Sequence, residues 1–490
     1  MAKKFYITTP LYYVNSTPHI GHSYTNIAAD VLARFHRQLG EDVYFLTGTD
    51  EHGQKVARSA RDAGLDDKAF ADKMAAVFIE LWKSLDISYD DFIRTTEERH
   101  TTTVKNALNI LYENNDIYPD KYEGWYCTPC ETFWTDLQLQ GAGLCLECKR
   151  PVEKISEENY FFRLSKYQGW LIEYIKSHPD FIKPQARYNE VLSFLELNKL
   201  NDLCISRPRS RLGWGIGIPF SKEHVVYVWF DALINYISAV GFSYDEEKFK
   251  RYWPADLHLI GKDILRQHAV YWPIILKALG LELPGMIFAH GWWKVGEDKM
   301  SKSRGNAIEP LGLVEEYGID AYRYFLLRDV PFGLDGNFSG EAIIKRKNSD
   351  LANDLGNFIH RTATMVEKYF SGRLPYGAVE IKQNKLKQNS DNLIKELKPA
   401  MESIDFTTVL DRVWSVINQA NKFIEETKPW NLLKEKRTEE LESFILLLAE
   451  VVRNVSFAIS NFMPTSAKII QEQFQAPVIK KGIPLFPRIY

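Results

Sequence analysis

The first fifty residues carry a strand, a helix and a second strand, and this order limits the possible folds more than any other feature. KFYITTP has the β-rich composition of a buried strand, and DVYFLTGTDEHG repeats that pattern after the helix. Between them, apolar residues recur at helical spacing up to Gly40, a typical C-terminal cap: Ile27, Val31, Phe35 and Leu39. Such a unit forms a right-handed crossover in a parallel sheet, which binds ligands at the carboxyl ends of its strands.

Further strands are predicted at HVVYVWFDA from His224, DLHLIGKD from Asp256 and MIFAHGWW from Met286. From Lys345 the pattern becomes helical, with a long polar loop at residues 371–390. The apolar faces of three predicted helices comprise Leu351, Leu355, Phe358 and Ile359; Val409, Val413, Val416, Ile417, Ala420 and Ile424; and Leu441, Phe444, Ile445, Leu448, Val452, Val455 and Ile459. We therefore expect an α/β, Rossmann-like parallel-sheet domain followed by an all-α helical bundle.

The length of the chain, its apolar runs and its cysteine count exclude several classes of protein. A chain of 490 residues is too long for one core, and the usual domain size suggests about three domains. No secretory signal follows the N-terminal lysines, and the longest apolar runs, such as FILLLA, are far too short to span a membrane. Five cysteines are too few for a disulfide scaffold in a chain this long. We expect a cytoplasmic protein that makes no membrane contact.

The segment STPHIGHSYT places two histidines at the predicted start of the first helix. Unpaired backbone N–H groups and the positive end of the helix dipole gather there, so His19 and His22 are placed to bind phosphate. Gly21 allows a flat group to approach the backbone closely. For an isolated pair of this spacing, the commoner alternative is that one histidine caps the helix and the other is solvated.

A second cationic segment is GEDKMSKSRGN, residues 296–306. Lys299, Lys302 and Arg304 lie between glycines in a predicted loop that is able to close over a phosphate chain during reaction. An exposed basic turn is the alternative. No G-x-x-x-x-G-K-[ST] occurs, so a P-loop does not bind a nucleotide here. PHIGH and KMSKS together resemble the two signature motifs of the class I aminoacyl-tRNA synthetases.

Between these motifs lie two C-x-x-C pairs, CTPC and CLEC. They are separated by fourteen residues and give four thiolates that are able to surround one zinc ion. The predicted ligands are Cys127, Cys130, Cys145 and Cys148. Four protein ligands leave no position for water, so this zinc is expected to be structural. Cys204 stands alone and is predicted to be buried.

The zinc knuckle together with YITTPLYYVN, TGTDEHG, VYVWFDALINYIS, HLIGKDI and FAHGWW resembles the methionyl-tRNA synthetase family from Phe5 to about Phe338. The resemblance implies ATP-dependent attachment of L-methionine to tRNA(Met), including the initiator, through methionyl-adenylate, with Mg2+ accompanying ATP. It implies catalytic roles for His19, His22, Lys299 and Lys302, and ATP binding by those four with Gly21, Asp263 and Ser301. The implied methionine site comprises Leu11, Tyr13, Asp50, Trp229, Tyr236, Ile264 and His268.

Two residues depart from the family pattern. Gln267 stands where an aromatic residue is common, and Leu233 where some members have proline. In the predicted helical bundle, Asn357 and Arg361 lie four residues apart on one face, and Trp430 follows Pro429. The resemblance makes these three the readers of the tRNA anticodon, by base-edge contacts and stacking. Packing at a helix end is the alternative for Trp430.

The expected domain boundaries follow the motifs. The catalytic domain covers residues 1–115 and 224–290, an inserted zinc-bearing domain 116–223, the KMSKS and stem-contact region 291–344, and the anticodon-binding bundle 345–490. We expect a monomer. A nucleotidyltransferase that adenylates without tRNA, and a non-catalytic tRNA-binding relative, are the competing readings.

Overall fold

The computed structural model describes residues 3–489, except 128–131, 135–138, 140–142, 147, 296–297, 300–307 and 376–383. It divides into two compact units, residues 1–29 with 36–290, and residues 30–35 with 291–490. Within the described chain no helix is long and apolar enough to cross a membrane.

The first unit contains thirteen strands and ten α-helices in its described part. The strands are β1 Lys4–Thr8, β2 Tyr12–Tyr13, β3 Asp42–Asp50, β4 Asp91–Arg94, β5 Ile117–Cys127, β6 Thr132–Trp134, β7 Glu153–Phe162, β8 Ile182–Lys183, β9 Leu203–Cys204, β10 Ser206–Pro208, β11 His224–Val226, β12 Leu257–Gly261 and β13 Met286–His290. The helices are α1 Ile20–Gln38, α2 Gln54–Asp62, α3 Asp67–Ser84, α4 Glu98–Glu113, α5 Gln168–Ser177, α6 Gln185–Leu197, α7 Val228–Leu233, α8 Asn235–Ser238, α9 Glu246–Tyr252 and α10 Trp272–Ala278.

A parallel sheet forms the centre of the first unit, in the order β2-β3-β1-β12-β13-β8, with β4 paired to β3. The predicted strand–helix–strand crossover is confirmed: β1 pairs with β3 in parallel, Lys4 opposite Asp42, and α1 connects them. Gly40 ends the helical segment at a φ of +79°. Because β1 lies between β3 and β12, the carboxyl ends of these strands meet at one edge of the sheet.

Close approach of β3 and β4 requires glycine at position 48. A Cβ there would lie 1.9 Å from the carbonyl oxygen of Ile93 and 2.9 Å from Leu11 Cδ2. No side chain fits that gap, so Gly48 allows β4 to pair and Leu11 to lie over the end of β3.

The described part of the insertion that the sequence predicts to bear zinc contains an antiparallel sheet in the order β6-β5-β7-β9. Strands β5 and β7 pair along most of their length, with Tyr118 opposite Phe161 and Trp125 opposite Lys154. Cys204 is buried at the end of β9, as predicted.

The predicted strand from His224 is correct only for its first three residues. β11 stops at Val226, and α7 then carries Trp229, Asp231 and Leu233. The run VVYVWF has the composition of a strand, but this helix is buried on several sides and therefore lacks an amphipathic repeat.

The second unit contains β14 Trp293–Val295, β15 Asp298–Lys299 and β16 Gly336–Asn337, in the order β15-β14-β16. Its helices are α11 Pro310–Tyr317, α12 Ile319–Arg328, α13 Gly340–Arg346, a π-helix Lys347–Gly356, α14 Asn357–Phe370, α15 Lys385–Glu402, α16 Phe406–Thr427, α17 Pro429–Lys434, α18 Thr438–Ile459 and α19 Pro464–Gln475. The three predicted helical faces are confirmed. The predicted loop at 371–390 is wrong at its end, because α15 begins at Lys385, where Asn384 accepts a capping bond from Lys387 N–H.

Candidate active site

Two histidines accept backbone N–H groups at the N-terminus of α1. The N–H of Gly21 donates to His19 Nδ1, and the N–H of His19 donates to His22 Nδ1, each at 3.1 Å. The two rings stack with their centroids 3.8 Å apart. The arrangement resembles a capping box with imidazole nitrogens as the acceptors, except that His19 accepts from Gly21 rather than from His22. The alternative raised by the sequence had one histidine capping the helix and the other solvated, whereas here both rings accept a backbone N–H.

These caps determine which ring nitrogen carries the proton. A backbone N–H is only a donor, so Nδ1 of each imidazole accepts and is unprotonated. Each ring is then neutral and carries its proton on Nε2, a donor suited to a phosphate oxygen. A Cβ on residue 21 would lie 2.9 Å from His19 Cε1, so Gly21 leaves room for the first ring.

The short strand β2 connects the histidines to Asp50. The Tyr12 ring lies 4.9 Å from the His22 ring, centroid to centroid, and Asn26 Nδ2 donates to the Tyr12 hydroxyl at 2.6 Å. The next residue, Tyr13, pairs with Asp50 in the parallel ladder. The proposed phosphate-binding and ammonium-binding side chains therefore lie on adjacent segments of one sheet edge.

Asp50 ends β3 and is 7% exposed. The residue after it, Glu51, is fully buried and accepts two hydrogen bonds from Arg94, at 2.6 and 2.9 Å, and further bonds from Thr49 and Thr96. The Glu51 carbonyl accepts from the Trp214 indole at 2.5 Å. A buried carboxylate with this many donors is satisfied, so the segment that carries Asp50 is held firmly.

A second group of predicted methionine residues surrounds His268. The Tyr236 hydroxyl lies 2.8 Å from His268 Nε2, and His268 Nδ1 lies 2.9 Å from the carbonyl oxygen of Ile264. The carbonyl only accepts, so Nδ1 donates to it and Nε2 accepts the tyrosine proton. Burial lowers the pKa of His268 to about 4, which keeps this ring neutral at physiological pH. Ile264 is half-buried.

The other residues predicted near this edge differ in burial. Trp229 is half-buried on α7, and Leu233 is in the core. Gln267 opens a π-helical turn, Gln267–Tyr271, and its buried Oε1 accepts no hydrogen bond from the described residues. Asp263 is exposed in the turn after β12, and a Cβ on Gly261 would lie 2.7 Å from its Oδ1.

The cationic segment is largely outside the described residues, which exclude Ser301 and Lys302. The backbone of Lys299 lies in β15, opposite Lys294 of β14, and its side chain is not among those described.

Three cysteines converge in the inserted sheet. The sulfur atoms of Cys127, Cys145 and Cys148 all lie within 4.8 Å of one another, and those of Cys127 and Cys148 are 3.5 Å apart. Thiolates about 3.8 Å apart surround a tetrahedral zinc ion, so these residues fit the metal. Cys130 lies outside the described residues. Among the residues that the structure describes, this is the only group of three or more potential ligands whose ligand atoms all lie within 4.8 Å of one another.

The predicted anticodon residues lie in the second unit. Asn357 is exposed at the start of α14, and Arg361, one turn later, forms a 2.6 Å ion pair with Glu425 of α16. Helix α16 ends at Thr427, Lys428 adopts a φ of +50°, and α17 begins at Pro429. The predicted break at Pro429 is confirmed, and Trp430 is 42% exposed behind it.

Sequence reasoning missed a buried cluster behind this edge. His52 Nδ1 and His100 Nε2 each lie 2.7 Å from a different oxygen of Asp231. The only signal in the sequence is that TGTDEHG and VWFDALINYIS place polar residues inside apolar runs. Residues so far apart in the chain meet only after folding.

Comparison with known proteins assigns a family. The profile described as "tRNA synthetases class I (M)" matches residues 5–363. The chain is 50% identical to the methionine–tRNA ligase of Caldanaerobacter subterraneus subsp. tengcongensis, over 100% of this chain and 79% of that protein. It is 50% identical to the Thermotoga maritima enzyme of that name, over 95% and 74%. The Mycobacterium tuberculosis methionyl-tRNA synthetase in complex with methionyl-adenylate superimposes with a TM-score of 0.94 at 41% identity, covering 99% and 100%.

Proposed function

The chain belongs to the class I methionyl-tRNA synthetases, the methionine–tRNA ligases, and from this premise we propose how its residues divide the reaction. The enzyme attaches methionine to tRNA in two steps, through methionyl-adenylate. The observation that carries the assignment of residues is the adjacency of the histidine cap and Asp50 along β2.

In the first step the methionine carboxylate attacks the α-phosphate of ATP and pyrophosphate leaves. His19 and His22 donate from Nε2 to phosphate oxygens at the N-terminus of α1, while Gly21 permits close approach of the nucleotide. Asp263 accepts from the ribose hydroxyls. Lys299, Ser301 and Lys302 bind the departing pyrophosphate. The protein positions charge rather than forming covalent bonds, as in most phosphoryl transfer.

The methionine site lies at the same sheet edge. Asp50 pairs with the ammonium group, and a buried carboxylate favours that partner over water. The side-chain pocket comprises Leu11, Tyr13, Trp229, Tyr236, Ile264 and His268. Aromatic rings and aliphatic groups contact a thioether well. The neutral His268–Tyr236 pair supports a pocket without net charge.

Two metals are assigned separately. Cys127, Cys130, Cys145 and Cys148 hold one structural zinc ion, which stabilises the inserted sheet and takes no part in the reaction. Mg2+ enters with ATP, because this ion usually keeps several waters and binds substrate phosphates rather than an all-protein site.

In the second step the 3′-terminal adenosine of tRNA(Met) accepts the methionyl group. Asn357, Arg361 and Trp430 read the anticodon, the first two by base edges and the third by stacking. We assign the catalytic domain to residues 1–115 and 224–290, the zinc-bearing insertion to 116–223, the stem-contact region to 291–344 and the anticodon-binding domain to 345–490. The enzyme acts as a cytoplasmic monomer and serves initiation as well as elongation.

The test is pyrophosphate exchange into ATP with each of the twenty amino acids, followed by tRNA charging. Methionine-dependent exchange that is reduced by about 100-fold in His22→Ala supports the assignment. The matched control is His224→Ala, a half-buried histidine of β11 that lies outside the proposed site and whose Nε2 lies 3.0 Å from the carbonyl oxygen of Glu158. Exchange without tRNA charging supports a nucleotidyltransferase instead, and tRNA binding without exchange supports a non-catalytic relative.

A further inference from the structure

A buried polar cluster joins four segments of the first unit. Asp231 Oδ2 lies 2.7 Å from His52 Nδ1, and Asp231 Oδ1 lies 2.7 Å from His100 Nε2. His100 Nδ1 in turn lies 3.1 Å from Ser238 Oγ. Asp231, His100 and Ser238 are fully buried, and His52 is 6% exposed. The proposed reaction uses none of these side chains.

Three of the four members lie two residues after a proposed methionine-binding residue. His52 follows Asp50, Asp231 follows Trp229, and Ser238 follows Tyr236. Two residues along a helix correspond to a rotation of about 200°. In α7 and α8, Asp231 and Ser238 therefore lie on the side opposite Trp229 and Tyr236. The fourth member, His100 of α4, lies between Asp231 and Ser238 and contacts both.

We propose that His52, Asp231, His100 and Ser238 are positioning residues that hold the ammonium-binding Asp50 at a fixed distance from the thioether pocket. The proposal rests on the proposed methionine site. It adds the side chains that fix the distance between Asp50 and the thioether pocket. A ligand bearing both an ammonium and a thioether gains from both contacts only if their separation is fixed beforehand. Asp231 is central, because it bonds to both histidines.

The electrostatics of the cluster support a rigid connection. Burial alone would raise the pKa of Asp231, but the two imidazoles outweigh it and hold that pKa below its usual range. A buried carboxylate between two nitrogen donors makes short charge-assisted bonds, which are costly to break. His52 is also held edge-on against Trp214, at 5.2 Å between ring centroids, and Trp214 bonds the carbonyl of Glu51.

The test compares His52→Ala with His52→Asn, whose side-chain amide nitrogen replaces Nδ1 and keeps the bond to Asp231. We expect His52→Ala to raise KM for methionine in pyrophosphate exchange about tenfold with kcat and KM for ATP little changed, because one charge-assisted bond is lost. His52→Asn should restore most of the affinity. Ser238→Ala, a smaller change that is expected to fold normally, should raise KM for methionine about threefold.

His36→Ala is the matched structural control. His36 is also a buried histidine whose Nδ1 bonds a carboxylate, that of Glu41 at 2.6 Å, but it lies at the other end of α1. It should lower thermal stability without changing KM for methionine.

Inhibition constants give a readout that a general loss of stability would not change. L-Methioninol carries both the ammonium and the thioether, and its deaminated analogue carries only the thioether. His52→Ala should weaken the first about tenfold and the second by less than about twofold. The proposal is overturned if His52→Ala weakens the binding of both inhibitors equally. It is also overturned if the KM for methionine changes no more in His52→Ala than in His36→Ala. Absence of methionine-dependent exchange in the unaltered enzyme instead overturns the proposed function.

Discussion

The buried, neutral His268 makes the stability of the first unit depend on pH, and His268→Gln tests this. The pKa of His268 is about 4 in the folded chain and 6.5 in the ordinary, exposed state. Between these values the unfolded chain takes up a proton that the folded chain does not. Stability is therefore lost as pH falls from about 6.5 to about 4. For this single group, the loss between pH 7 and pH 5 is about 2 kcal/mol.

Glutamine carries no titrating proton, and its amide oxygen is able to accept from Tyr236. We therefore expect His268→Gln to lose about 2 kcal/mol less stability than the unaltered protein between pH 7 and pH 5. The assay is urea unfolding followed by fluorescence at both pH values, comparing the transition of the first unit. Other titrating groups are common to both proteins and largely cancel.

Tyr236→Phe is the control, because it keeps the imidazole but removes its hydrogen-bond donor. It should cost about 1–3 kcal/mol at pH 7, since a buried acceptor is left unsatisfied, and it should retain the pH dependence. If the unaltered protein and His268→Gln lose equal stability on acidification, the ring is not held neutral by burial, and the reasoning about this pocket fails.

Three further predictions follow from contacts in both units. Gly48→Ala should destabilise the first unit by about 3 kcal/mol, because the added methyl would meet the Ile93 carbonyl at 1.9 Å; unchanged urea unfolding would contradict the packing of β3 on β4. Cys145→Ser should remove zinc from a protein that otherwise binds one ion per chain, measured by elemental analysis, with a lower unfolding temperature; retained zinc would refute the ligand set. Arg361→Gln should raise KM for tRNA about tenfold in charging and leave pyrophosphate exchange unchanged; an equal loss in both assays would refute a role limited to the anticodon.

The parallel core was predictable because its signals are local. The alternation of strand, helix and strand, ended by Gly40, is contained in fifty consecutive residues, and the structure confirms it. The position of the histidines at the start of α1 was also predictable. Their bonds to backbone N–H groups were not, because these depend on ring orientations that the spacing alone does not determine.

The errors have identifiable physical causes. The strand predicted through Trp229 is a helix whose residues Val228, Phe230, Ala232 and Leu233 are all buried, so no polar face revealed its period. The first turns of α15 were assigned to a loop because KLKQNSDN is almost entirely polar, with Leu386 as its buried apolar residue. The cluster around Asp231 combines residues 52, 100, 231 and 238, and no local pattern links them.

The backbone caps at α1 have a consequence for product release in the function proposed for His19 and His22. His19 and His22 each use Nδ1 to accept a backbone N–H, so each ring is neutral and donates only from Nε2. Hydrogen bonds from neutral groups are about half as strong as those from cations. In the proposed site, each of these histidines would therefore hold a phosphate oxygen less strongly than a cation would. We expect a lysine at either position to bind the phosphates more tightly and to slow the release of product.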